Sequence, residues 1–159
     1  MNGAPATPDL IDFGDLPAAT NALLQEGVLA YRRDPDLARE KFERALAEAP
    51  AQLPVYFCLY KIHTYQGRLD AALEAAERGL AEAAKQASWP SDWRLWGTPG
   101  ATEGAPRFAL YTLKALAFIR LKRGERGEAV AILDALRAFD PDGLVGWPVI
   151  AALAEGCAA

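Results

Sequence analysis

Small residues recur along this chain at a fixed interval, and that interval limits what the chain can fold into. Ala38 and Ala72 stand 34 residues apart, and the pairs Phe42 and Ala76, Ala45 and Gly79, Leu46 and Leu80 keep the same spacing. The second set lies within Pro54 to Ala87, which reads as two helices joined by a tight turn at Gly67. Apolar residues recur three and four apart on both sides of that glycine, which supplies the turn. A third set, Ala129, Leu133 and Leu136, follows a second glycine turn at Gly124. From Ala72 to Ala129 is 57 residues, one period and a further 23, so the register survives an insertion.

The rest of the chain arranges itself around these hairpins. Residues 1 to about 14 mix Pro, Gly, Asp and Ala with little periodicity, which predicts a flexible arm ahead of one domain over 15–159. Asp15 is placed to cap a helix that starts at Leu16 and Pro17 and runs through Arg33, with Leu16, Ala19, Leu23, Leu24, Val28 and Tyr31 at helical spacing. Asp34 and Pro35 repeat the device for a helix whose apolar face is Leu37, Ala38, Phe42, Ala45 and Leu46, ended by Pro50. Pro54 opens the next helix, which runs to Gln66, and Pro141 later fills the slot of Pro50. Three hairpin units result, at about 19–52, 53–86 and 110–143, with an insertion at about 87–109. A closing helix at about 147–155 carries Ile150, Leu153 and Ala154, with Trp147 packed beside it to cover the last open face.

Composition supports the helices and excludes several other classes. The 159 residues are 52% hydrophobic and 24% charged, ordinary for a globular chain and wrong for a disordered one. Alanine, leucine, glutamate and arginine favour helix, and together with proline they suggest a bacterial source. A formal net charge of −4 argues against broad binding to nucleic acid or anionic membranes. No apolar run approaches the roughly 20 residues of a membrane helix, and the first fifteen residues lack the charged and apolar regions of a secretory signal. Cys58 and Cys157 form neither a disulfide framework nor a metal-ligand spacing, so a reducing cytoplasm is expected.

A 34-residue helix–turn–helix with small residues at set positions and a terminal proline resembles the tetratricopeptide repeat. The middle copy matches best, through Tyr56, Leu59, Gly67, Leu69 and Ala72, with His63 where that pattern prefers tyrosine. The first copy departs most, with Gln25 and Glu26 where leucine and a small residue are usual. The resemblance implies an all-α fold, a right-handed α-solenoid of three repeats with a C-terminal capping helix. It also gives Ala38, Ala72 and Ala129 a reason, since helices there approach too closely for a larger side chain.

In that class the first helices of successive repeats line a concave groove, which implies a set of partner-binding residues here. They are Leu23, Gly27 and Tyr31 in copy one, Phe57, Lys61, Thr64 and Tyr65 in copy two, and Tyr111, Lys114, Phe118 and Leu121 in copy three. Spacings of three and four put each set on one helix face. Aromatic anchors with a few lysines suit a peptide or helical segment of a protein partner, with the cations favouring an acidic one. The competing expectation is that some of these rings face the core. The carboxylate clamp found in some members needs asparagines that the matching positions lack.

The insertion, KQASWPSDWRLWGTPGATEGAPRF, adds a second candidate. Without a proline at Ala84 the preceding helix can run on toward Ser88, and Ser88-Trp89-Pro90 then looks like a fresh helix start. Trp89, Trp93 and Trp96, four and three apart, would align on one face of that short helix, which Gly97, Pro99, Gly100 and Gly104 end. They either pack the insertion against the repeats or offer a partner an anchor, closing one side of the groove. Arg120, Lys122, Arg123 and Arg126 suit a helix C-terminus, or else extend an acidic-partner patch from Lys114. The single histidine, His63, occupies a packing slot, and no catalytic, phosphate-binding or metal motif accompanies it, so no enzyme activity and no cofactor are expected.

The functional expectation is a protein-binding adaptor or assembly chaperone. The alternative is a self-associating scaffold that dimerises through the tryptophans or the closing helix. Two narrower resemblances specify an accessory factor. Three repeats in about 160 residues with an acidic pI is similar to the chaperones of type III secretion translocators. YFCLYKIHTYQG and LYTLKALAFIRLKRGE resemble small repeat proteins associated with nitrogen-fixation genes, which would imply a nitrogenase component or its maturation machinery as partner.

Overall fold

Proline and glycine divide the chain into seven α-helices among the residues described by the computed structural model, which are 11–97 and 103–156. They are α1 (Ala18–Ala30), α2 (Pro35–Glu48), α3 (Leu53–Tyr65), α4 (Leu69–Ala87), α5 (Gly104–Lys122), α6 (Arg126–Phe139) and α7 (Trp147–Gly156). One 3-10 turn, Trp93–Leu95, lies between α4 and α5, and no strand occurs among the described residues. The expectations placed on residues 1–10, Pro99, Gly100 and Cys157 fall outside that range.

Local chemistry accounts for most of these boundaries. Asp34 accepts a hydrogen bond from the Leu37 N–H at 3.1 Å, and Pro35 follows in the first helical position, where a missing N–H costs nothing. Gly67 and Gly124 have φ of +72° and +81°. The Gly67 N–H donates to Thr64 and the Arg68 N–H to His63; 57 residues on, Gly124 donates to Leu121 and Glu125 to Arg120. The two turns are therefore closed by the same pair of bonds. The residues after α2 and α6, Ala49 and Asp140, also share a backbone geometry, with φ of −143° and −139°, each directly before a proline.

Three boundaries differ from the sequence expectations. Asp15 does not cap α1; Pro17 takes the capping position with no side-chain bond, and the helix stops at Ala30 rather than Arg33. Ser88 does not start a helix but ends α4, in a left-handed conformation with φ of +61°. The helix does run on through Ala84, as the missing proline allows. Finally, α5 begins at Gly104, so six residues assigned to the insertion are helical. Pro106 lies in its first turn, where the absent donor is harmless, and fully buried Ala109 anchors the extra length.

Each helix packs against the next, and α3 also meets α5, as α5 meets α7. One core runs through them, with Leu24, Val55, Ile62, Leu110, Leu113, Ile119 and Leu136 almost wholly enclosed. Ala38, Ala72 and Ala129 are each 0% exposed. Close approach is sharpest at two glycines. A Cβ added at Gly27 would meet the Phe42 ring at 2.3 Å, and one at Gly79 would meet the Tyr56 Cβ at 2.7 Å. α4 packs directly on α5, so the insertion in the sequence does not separate the second and third hairpins.

Candidate functional site

The faces of α3 and α5 that do not pack inward border an open cavity of about 520 Å3. Phe57, Lys61, Thr64 and Tyr65 come from α3, and Tyr111, Lys114, Ala115 and Phe118 from α5. Val28 and Tyr31 close the α1 end, Phe42 and Ile150 contribute from α2 and α7, and Ile11 and Phe13 reach in from the segment before α1. Aromatic contacts tie the walls together. The Phe57 ring lies 5.7 Å from that of Tyr111 across the two helices, and the Tyr31 and Tyr65 rings meet edge-on at 5.1 Å.

Two lysines stand over these rings. The Lys61 Nζ is 5.3 Å from the Phe57 ring centre, and the Lys114 Nζ is 4.0 Å from that of Tyr111. Neither forms an ion pair among the described residues, although Arg39, Arg44, Arg68, Arg94, Arg120 and Arg123 do. Burial lowers the Lys114 pKa below its usual 10.5, and the positive charge of Lys61 lowers it further. Burial also raises the phenol of Tyr111. Beneath them burial pushes the Cys58 thiol up to about 12 and raises the phenol of Tyr60, which is 2% exposed.

Eight of the eleven residues expected to line the groove thus gather at one cavity: Tyr31, Phe57, Lys61, Thr64, Tyr65, Tyr111, Lys114 and Phe118. Leu121, on the last turn of α5, does not line it, and neither do Leu23 and Gly27. Both are buried, Gly27 because the Phe42 ring occupies the space a side chain would need. Ile11, Phe13, Tyr60 and Ile150 line the cavity without having been anticipated. The apolar pair Ile11 and Phe13 was the available signal, masked by the prolines and glycines around it. Residues 11–14 are held against α1 rather than loose, since the Ile11 N–H and carbonyl both bond to the Gln25 side chain.

Trp89, Trp93 and Trp96 lie elsewhere, and none lines this cavity. The single helix expected to align them is absent, because α4 ends at Ser88 and only a three-residue turn follows at Trp93. Trp96 turns inward, 6% exposed, with its Nε1 donating to the Pro90 carbonyl at 2.7 Å and its ring against Trp89 and Phe139. Trp93 stacks with Arg94 and faces a separate polar recess beside Glu77, Arg120 and Glu128. The described residues Trp89–Trp96 therefore pack along the α4–α6 side, away from the cavity.

Two of the four cations beyond Lys114 are paired, while Lys122 lies exposed over the Phe118 ring and Arg126 donates to the Ala154 carbonyl. Arg120 pairs with Glu77 at 3.3 Å, Glu125 at 3.1 Å and Glu128 at 3.3 Å, and Arg123 pairs with Asp70 and Glu125. These pairs join α4 to α5 and α6 instead of presenting a patch. His63 is 8% exposed, its Nδ1 unpartnered and its pKa lowered by burial. Among the described residues no three His, Cys, Asp or Glu side chains group as metal ligands, and no helix is long and apolar enough to cross a membrane. No protein-family model, curated protein or solved structure matches the chain.

Proposed function

We propose that this chain is a non-enzymatic adaptor or assembly chaperone that holds a segment of another protein in the groove between α3 and α5. The observation that carries the reading is the cavity of about 520 Å3, walled by aromatic rings and bearing Lys61 and Lys114, which have no carboxylate partner among the described residues. Rings supply apolar anchoring area, while the free cations favour an acidic segment and set its register. The scaffold reads as three tetratricopeptide-like repeats forming a right-handed solenoid closed by α7. Support comes from the spacing, since Ala38, Ala72 and Ala129 occupy one register and are all fully buried. Matching turns at Gly67 and Gly124 support it too.

The test is capture of the partner from the native organism's lysate by the wild type, Lys61→Glu and Trp93→Ala. Lys61→Glu should lower the retained partner at least about tenfold, the effect of reversing one close charge at an interface. Trp93→Ala should retain it. Equal retention by Lys61→Glu would remove the groove from the account.

A second reading is self-association through the end of the chain. Val149 and Leu153 on α7 are 67% and 47% exposed and four residues apart, so they share a helix face, and Leu144 is exposed just before them. Sedimentation across a hundredfold concentration range separates the two. A dimer abolished by Val149→Glu would favour this reading, and a concentration-independent monomer would end it.

A further inference from the structure

Gln25 breaks the repeat pattern of the first hairpin, and its side chain has a specific occupation. Its Oε1 accepts the Ile11 N–H at 3.2 Å, and its Nε2 donates to the Ile11 carbonyl at 2.7 Å. One residue's backbone donor and acceptor are thereby read together, as a neighbouring strand would read them. Asn21 braces the amide, its Oδ1 accepting from the same Nε2 at 3.1 Å. Two residues further on, Phe13 enters the cavity beside Ile11. Between them Asp12 accepts the Gly14 N–H at 2.8 Å, and Gly14, with φ of +85°, turns the chain toward α1. Ile11 remains 46% exposed while Phe13 is half-buried against the core, so this segment rests on the surface of the domain.

We infer that Ile11–Phe13 is a built-in occupant of the α1 end of the groove, and that a partner segment entering there displaces it and takes the same form. That form is a backbone amide offered to Gln25 and apolar side chains two residues apart. The inference rests on the groove reading above. It adds a competition. A tethered occupant acts at a high effective concentration, so it lowers the apparent affinity for any incoming segment by the fraction of time the end is open. An arm that shares its chemistry with the partner also keeps the apolar end covered when no partner is present.

The probe is a fluorophore-labelled synthetic peptide carrying residues 9–15, DLIDFGD, titrated by anisotropy into full-length chains. The chain with Ile11→Asp and Phe13→Asp, whose own segment is released, should bind it about tenfold tighter than the wild type. Adding Gln25→Ala to that background should remove the gain. In the wild type the Ile11 amide should resist hydrogen exchange, and Gln25→Ala should expose it while the helical circular dichroism is unchanged. Equal affinity of wild-type and released chains, or no binding to the released chain, overturns the competition. A gain that survives Gln25→Ala overturns the role of Gln25. The groove reading is judged separately, by whether Lys61→Glu loses the captured partner.

Discussion

Two side chains of the central hairpin show how a single residue can be held by its surroundings. Gly79 lies within α4, where alanine in its place would normally favour the helix by about 1 kcal/mol. Here the added Cβ would sit 2.7 Å from the Tyr56 Cβ. No rotation of the Tyr56 side chain moves its Cβ, which the α3 backbone fixes, and its hydroxyl further holds the ring by donating to the Pro50 carbonyl at 2.5 Å. Overpacking of this kind costs about 1–3 kcal/mol and wins. Gly79→Ala should therefore lower stability in urea denaturation, against the helix-propensity rule. His63 gives the pH dependence. Burial holds its pKa below 6.5 in the folded chain, an effect that the nearby charge of Glu43 partly offsets. The unfolded chain takes up the proton first, so stability present above about pH 6.5 is lost as the pH falls toward the folded pKa. His63→Phe should lose less stability than the wild type between about pH 7 and pH 5, measured by urea unfolding at each pH.

Among the elements, the reliable signals in the sequence were the ones with a single local cause. Asp34-Pro35, Gly67 and Gly124 each determine a boundary through a bond or a backbone angle of their own, and those boundaries were readable. Asp15-Leu16-Pro17 looks similar on paper but fails as a cap, because Pro17 itself takes the position before α1. The tryptophan spacing misled for a different reason. A four-three interval describes a helix face only where a helix exists, and the left-handed Ser88 ends the helix before Trp89. For the cavity, the positions implied by the repeat resemblance succeeded on α3 and α5 because both helices expose one continuous face to it. Leu23 and Gly27 were assigned by analogy of position, which carries no information about the Phe42 ring filling that space. Ile11 and Phe13 belong to no periodic element, and only the bond pair to Gln25 brings them to the site.

Across the whole molecule, packing between neighbours in sequence dominates, which favours quick, modular folding. Charge reinforces that order. Arg120 and Arg123 connect α4, α5 and α6 through four acidic partners, so the joint between the second and third hairpins carries both apolar and ionic links. The chain nevertheless crosses this joint by a detour, from Ser88 at the end of α4 to Gly104 at the start of α5. Helices that touch directly do not need the peptide that connects them. A protein made as two pieces, interrupted between Gly97 and Glu103, should reassemble when the pieces are co-expressed, and the pair should copurify as a one-to-one complex with the intact helical signal. Its melting temperature should rise with concentration, as it does when folding includes an association step. Pieces that fail to find each other would mean that the tether, rather than the shared face, holds the two halves together. If they do find each other, the α4–α5 seam is a ready-made recombination point, where half of the groove could be exchanged for another chain's without redesigning the remainder.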